Sequence, residues 1–244
     1  MQARNLPAIS GRYWAAILAA SMCGANTGDF LSRIIGLGHW RGVPFLIAAF
    51  FLIVWAEKRS MVTTEAYYWL AIILLRTGAT NLADLSTHDF KISYPLTLLG
   101  LTALLIVVLI ADRAPARTGD ADTPSLPATD LPYWIAMLIA GTLGTAGGDY
   151  VAYGLGLGIA SMLLTAVFGA ILAAATTYGA MSKWWYWATI VGARTAGTVL
   201  GDLLASRRGF DLGLWISTAC TASLLAAIIL VWPLRRRAVA PNLR

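Results

Sequence analysis

The segment GTLGTAGGDY at 141–150 decides the fold, because three others repeat it: MCGANTGDF at 22–30, TGATNLADL at 77–85 and RTAGTVLGDL at 194–203. Each carries one aspartate: Asp29, Asp84, Asp149 or Asp202. Fifteen residues before each aspartate stands the Trp of a Tyr-Trp pair: Tyr13-Trp14, Tyr68-Trp69, Tyr133-Trp134 and Tyr186-Trp187. A rare dipeptide and a rare acid at one fixed spacing, four times over, define an internal repeat.

The aspartates sit in apolar stretches. Eight such stretches approach the roughly 20 residues that a membrane-spanning helix needs: 13–35, 42–57, 66–86, 94–111, 132–152, 155–178, 184–205 and 212–233. The expected fold class is all-α, a polytopic integral membrane bundle of eight transmembrane helices in four two-helix repeats. Two helices return the chain to its starting side, so the four pattern helices run parallel and are related by rotation about the membrane normal. Gly36-Leu37-Gly38 follows Asp29 at the offset where Gly156-Leu157-Gly158 follows Asp149, and Arg76 precedes Asp84 by the offset of Arg194 from Asp202. Repeats one and three therefore match, as do two and four. The expected halves are 1–112 and 132–237. A cytoplasmic linker at 113–131, rich in Pro, Asp, Thr and Ala, joins them, and 238–244 forms a cytoplasmic tail.

Composition agrees. The chain is 58% hydrophobic and 12% charged, with mean hydropathy +0.69. Soluble domains run about 45–50% apolar and about 25% charged, so an ordinary soluble enzyme, a disordered tail and a nucleic-acid binder are excluded. Cys23 and Cys220 build no disulfide framework or zinc site. The apolar run of the first stretch continues past the length of a removable signal peptide. The net charge of +6 reflects basic loops. Arg4, Arg12, Lys58, Arg59, Arg113, Arg117, Lys183, Arg235, Arg236, Arg237 and Arg244 fall on one side; Arg33, Arg41, Lys91, Arg207 and Arg208 fall on the other. The positive-inside rule places both termini in the cytoplasm.

Three columns give the repeat its chemistry. The Tyr-Trp pairs are expected in an aromatic belt at the cytoplasmic interface. Fifteen residues at 1.5 Å each put every aspartate about 22 Å above them, inside the hydrocarbon zone toward the outer side. One and five positions before each aspartate the residues are small: Gly24 and Gly28, Ala79 and Ala83, Gly144 and Gly148, Gly197 and Gly201. Such seams let helix backbones approach closely. On the helical face of the aspartate, or bordering it, lie Thr80, Thr145, Thr198, Asn26 and Asn81, with Ala25 in the first repeat. The even-numbered helices are nearly all apolar and are expected to form an outer, lipid-facing layer.

Intramembrane acids default to functional sites. The candidate cation or proton ligands are Asp29, Asp84, Asp149, Asp202, Asn26, Asn81, Thr80, Thr145 and Thr198. Asp29 and Asp149 are the best candidates for direct contact with a metal. Arg76 and Arg194 are expected to pair with aspartates of neighbouring repeats, leaving two spare negative charges. The donors are hard oxygens, which suit Mg, Ca, Mn, Na or protons. His39 and His88 are read as solvated loop residues. No nucleotide loop and no nucleophile–base arrangement is visible, so an enzyme is disfavoured. The expected function is passive or proton-coupled transport of a small hard cation, most of all a divalent metal such as manganese. The ion would be the only bound group, lipid the surrounding partner, and no nucleic acid would be involved. The alternatives are a cation channel, a scaffold or sensor whose polar stripe serves packing, and a homo-oligomer in which pattern faces meet between subunits.

The four segments quoted above resemble the bacterial membrane-anchored protein family built from a short repeat of unknown function. The resemblance covers about residues 12–233. In that family a Glu often follows the first Gly of the first repeat, where this chain has Ala25. The resemblance implies the repeat architecture and carries no settled activity.

Overall fold

A computed structural model describes residues 7–60, 64–112, 127, 129–177 and 182–237, with side chains to residue 231. Residues 113–126 and 128 of the expected linker and the tail 238–244 lie outside the described residues. So do Arg4, Arg113, Arg117 and Arg244 from the charge count.

The described residues are all-α. The helices are α1 (Gly11–Asp29), α2 (Gly38–Arg59), α3 (Ala66–Asp84), α4 (Tyr94–Ala111), α5 (Leu131–Leu155), α6 (Leu157–Thr177), α7 (Lys183–Ala205) and α8 (Gly213–Arg237). In the first half, a π-helical segment follows each aspartate, Phe30–Ile34 after α1 and Leu85–Asp89 after α3. Three of the four pattern helices start on a side-chain cap. Ser10, Asp130 and Ser182 accept backbone N–H groups of Tyr13, Tyr133 and Trp185, which fixes the entry of the Tyr-Trp pair. Beyond the aspartates the chain turns through left-handed glycines, Gly36 and Gly156, each seven residues after its Asp. The same position in the second repeat is Lys91, also at positive φ.

The pattern helices form a closed inner square, with α1 against α3, α3 against α5, α5 against α7 and α7 against α1. Each second helix braces the pattern helix of the next repeat: α2 lies on α3, α4 on α5, α6 on α7 and α8 on α1. The four repeats thus hold one another in a ring within a single chain. Two ion pairs tie the ring at the Tyr-Trp end. Arg12 pairs with Glu65 at 2.9 Å and donates to the Ile229 carbonyl, linking α1 to α3 and α8. Lys183 pairs with Asp112 at 2.8 Å and donates to the Leu109 carbonyl, where a cation satisfies the end of α4.

Five helices are long and apolar enough to cross a membrane: α2, α4, α5, α6 and residues Gly213–Val231 of α8. Four of them are the outer helices. Their outward faces expose Phe45, Leu99, Ile159, Met162 and Leu230, an apolar surface that suits lipid rather than water. The remaining three, α1, α3 and α7, are diluted by Gly, Thr, Asn, Arg and Asp, and the outer layer shields them.

The Tyr-Trp pairs are not a lipid-facing belt. All eight rings are buried, the tyrosines at 1–2% exposure. They turn inward because the outer helices already cover the pattern helices, and because four phenol hydroxyls satisfy one another at the centre.

Candidate solute cavity and its floor

The site is a stack of levels, each four residues from the next along α1, α3, α5 and α7. Side chains four apart lie above one another on a helix, so each level receives one residue per repeat.

The lowest level is Tyr13, Tyr68, Tyr133 and Tyr186. Their hydroxyls close a ring, with O···O distances of 3.1 Å (13–68), 2.7 Å (68–133), 3.1 Å (133–186) and 2.7 Å (186–13). A hydroxyl donates one hydrogen bond, so four hydroxyls in a ring satisfy one another. Each Tyr also meets its own Trp edge-on, at centroid separations of 5.0–5.3 Å. Each Trp then tilts against the Tyr of the neighbouring helix: Trp14 on Tyr186, Trp69 on Tyr13, Trp134 on Tyr68 and Trp187 on Tyr133. The next level, Ile17, Ile72, Met137 and Ile190, is apolar and fully buried.

The third level is Ser21, Arg76, Gly141 and Arg194. The small-residue seam makes room for it. A Cβ on Gly24 would lie 2.6 Å from Arg76 Cβ, one on Gly144 would lie 2.5 Å from Arg194 Cβ, and one on Gly141 would lie 2.7 Å from Ala79 Cβ. Gly197 packs in the same way on Ser21. One turn higher, Gly28 meets Thr80, Gly148 meets Thr198, and Gly201 meets Asn26.

Neither arginine forms an ion pair with an aspartate, contrary to the sequence expectation. Arg76 points toward the aspartate end and stops one level short. Its Nη1 donates to Thr80 Oγ1 at 2.9 Å and to Thr145 Oγ1 at 2.6 Å, and its Nη2 donates to Thr198 Oγ1. Arg194 points the other way, to Ser21 Oγ at 3.3 Å and Met137 Sδ at 3.6 Å. The reason is reach along the axis. An aspartate stands eight residues above, and the hydroxyls of three repeats lie in between.

Those three threonines are the fourth level, with Ala25. Their hydroxyls donate to backbone carbonyls four residues back, those of Arg76, Gly141 and Arg194. Their lone pairs accept from the Arg76 guanidinium, so the proposed cation ligands Thr80, Thr145 and Thr198 form a cradle for a fixed positive charge. The amides also have other company. Asn26 donates to Ser217 Oγ on α8, and Asn81 lies against Gly42 on α2. Both face the outer layer.

The top level opens. Asp29, Asp84, Asp149 and Asp202 all line one cavity of about 800 Å³, whose floor is Ala25, Thr80, Thr145 and Thr198. Tyr94, Tyr153, Ala152, Leu157 and Leu214 contribute to its walls, and Arg33, Arg207 and Arg208 also line it. The four carboxylates are not equivalent. Asp29 pairs with Arg33 at 3.3 Å. Asp84 meets His39 Nε2 and His88 Nδ1, each at 3.5 Å, and His39 Nδ1 also meets Asp89 at 3.2 Å. Both histidines therefore belong to the carboxylate level, and His39 is not a solvated loop residue. The Asp149 and Asp202 carboxylates, on adjacent α5 and α7, form no ion pair or hydrogen bond with other described residues. The cation paired with one of the four aspartates is Arg33, not Arg76 or Arg194, and the two acids without an ion pair among the described residues are both in the second half. Among the described residues, no group of three or more His, Cys, Asp or Glu side chains is placed to hold a metal ion.

Comparison with known families decides the membership. A family described as Repeat of Unknown Function (DUF347) matches residues 12–63, 132–183 and 185–238. The chain belongs to the DUF347 repeat family. The matches coincide with repeats one, three and four, and the structure builds residues 66–111 as the same helix pair. No curated protein and no solved structure matches the chain.

Sequence reasoning missed the tyrosine ring, and a signal for it existed. Each Tyr precedes its Asp by sixteen residues, four steps of four. At 100° per residue the two fall about 160° apart on a straight wheel, so one projected face cannot contain both. Contacts between small-residue seams follow the four-residue ridge instead. Stepping by fours from each Asp leads to the Tyr.

Proposed function

We propose that this DUF347 protein is an eight-span carrier of a small cation in a bacterial cytoplasmic membrane, with both termini inside. The axis between α1, α3, α5 and α7 is its translocation path. One observation carries the reading: four aspartates, one from each repeat, line a single cavity floored by Ala25 and three threonines, and a hydrogen-bonded tyrosine ring crosses the axis three levels below that floor. Carboxylates inside apolar spans persist where they serve an ion or proton path. The Arg76 guanidinium and the tyrosine ring lie across the axis below the cavity. A continuous cation pore is disfavoured by that fixed charge, so passage requires the inner square to rearrange, as alternating access does. The chain has no nucleotide-binding loop, so movement is passive or coupled to protons or sodium.

The second reading, a scaffold or sensor, is favoured by the cradle itself, because three of the polar-stripe hydroxyls serve Arg76. Cation uptake or efflux in proteoliposomes separates the two. The panel is Mn²⁺, Mg²⁺, Ca²⁺, Na⁺, a pH gradient and organic ammonium ions, with wild type compared against Asp149→Asn and Asp202→Asn. Transport requires a flux of at least one cation and its loss in both variants. No flux of any cation, or undiminished fluxes in both variants, leaves the scaffold reading.

A further inference from the structure

We infer that the cargo of this cavity is a small organic cation, with a primary ammonium or guanidinium group on a short apolar body, rather than a bare metal ion. The inference rests on the cation-carrier reading and names its substrate class.

The first ground is coordination. A divalent ion held without its water shell takes about six to eight oxygens from the protein. The carboxylate level offers two unpaired acids, Asp149 and Asp202, while Asp29 and Asp84 are engaged by Arg33, His39 and His88. The oxygens directly below belong to threonines that already accept from Arg76. A metal seeking them would approach a fixed guanidinium.

The second ground is what the carboxylates lack. Asp84 is 3% exposed and lines the cavity, yet its Oδ2 receives no hydrogen bond. The His39 contact at 3.5 Å is too long for a good hydrogen bond. A buried carboxylate oxygen calls for a hydrogen-bond donor or a cation. An ammonium is both, with three donors, and a guanidinium brings five.

The third ground is space. Cavities for organic ligands span about 300–1,000 Å³, and a water occupies about 30 Å³. A cavity of about 800 Å³ leaves a bare ion in a pool of water. Its walls include Ala152, Leu157, Leu214, Tyr94 and Tyr153, which offer apolar surface to a hydrocarbon body.

The test is binding to the purified full-length protein in detergent, measured by calorimetry and thermal shift. The probes are n-butylammonium, putrescine and agmatine, with n-butanol as the neutral control and MnCl₂, MgCl₂, CaCl₂ and NaCl as competitors. The expected result is saturable binding of at least one organic cation and none of butanol. Asp149→Asn and Asp202→Asn should each weaken that binding by about tenfold, a change of about 1.4 kcal/mol, while the variants keep the wild-type melting temperature within a few degrees. Saturable binding of Mn²⁺ or another metal, sensitive to the same two variants and with no organic cation bound, overturns the inference and leaves the cation-carrier reading standing. If no cation of either kind binds, both fall. The comparison of butylammonium with butanol needs no variant, so a misfolded mutant does not blunt the test.

Discussion

Removing Arg76 should cost the fold less than removing any threonine that holds it. The guanidinium is buried among Thr80, Thr145 and Thr198, one from each of three repeats. Hydrogen bonds to charged groups contribute about 1.5–3 kcal/mol each. Taking a guanidinium out of water costs several kcal/mol in return. In Arg76→Met the three bonds and the desolvation cost vanish together. The threonine hydroxyls are not orphaned, because each donates to a carbonyl four residues back. Replacing buried charge by an apolar side chain of similar volume is often neutral or stabilising by about 1–4 kcal/mol. The expected change for Arg76→Met therefore lies between zero and a modest gain. Thr145→Val has the opposite character. It keeps the shape, removes an acceptor at 2.6 Å and leaves a buried charge short of one partner, at a cost of about 1–3 kcal/mol. At about 2–4 °C per kcal/mol for a chain of this size, Thr145→Val should melt roughly 2–12 °C below wild type in detergent, and Arg76→Met at or above it. The double variant should recover the Thr145→Val loss, because the unpaired charge has gone. If Arg76→Met instead melts far below wild type, by the roughly 3–5 kcal/mol of a broken buried ion pair, then Arg76 neutralises an aspartate after all and the cradle argument fails.

Three further variants probe the rest of the stack. Tyr68→Phe deletes two of the four ring bonds, at about 1 kcal/mol each for neutral partners. If the ring closes the path, reconstituted vesicles should also leak more, and unchanged leakage would place the gate elsewhere. Gly144→Val drives a side chain into Arg194 Cβ and the Arg194 backbone and should lose at least about 1–3 kcal/mol. Gly154→Ala, in the same helix with nothing near its Cβ, should gain about 0.5–1 kcal/mol; similar melting of the two would deny that the seam is tightly packed. Lys91→Gly should raise the melting point, since a lysine at φ 54° carries a left-handed penalty of about 1–2 kcal/mol that the glycines of repeats one and three avoid.

What the sequence made legible followed from spacing. Four Tyr-Trp pairs and four aspartates at one separation suffice for eight helices in four parallel pairs, and the small pairs five and one before each aspartate mark where the inner helices touch. What it left hidden depends on direction and partner. Nothing local to Arg76 or Arg194 says that one side chain rises and the other descends; the choice is made by Thr145 and Thr198 on other helices in one case and by Ser21 and Met137 in the other. The role of His39 was equally hidden. It lies just after a turn, where a polar residue is usually solvated, and only the packing of α2 on α3 brings it to Asp84. Asn26 and Asn81 border the aspartate stripe on a wheel, but the outer helices approach on that side and claim them.

The two arginines also show why four repeats behave as two pairs. Around the inner square, the residue five before one aspartate meets the residue eight before the next: Gly24 with Arg76, Ala79 with Gly141, Gly144 with Arg194 and Gly197 with Ser21. In each contact at least one partner is glycine, because two side chains do not fit between backbones this close. An arginine eight before its aspartate therefore demands glycine on the preceding helix, which repeats one and three supply at Gly24 and Gly144. Repeat two has Ala79 at that position and faces Gly141, so the third repeat has no room for an arginine there. Gly197 leaves the same room on α1, where this chain has Ser21, and the two arginines stand on opposite helices, α3 and α7. At the same level, two like charges between four helices repel. They separate by turning apart, Arg76 toward the threonines under the cavity and Arg194 toward the apolar level above the tyrosine ring. The pseudo-two-fold axis that relates their backbones is thus broken by their side chains, and only one half of the axis has a cationic floor beneath its carboxylates.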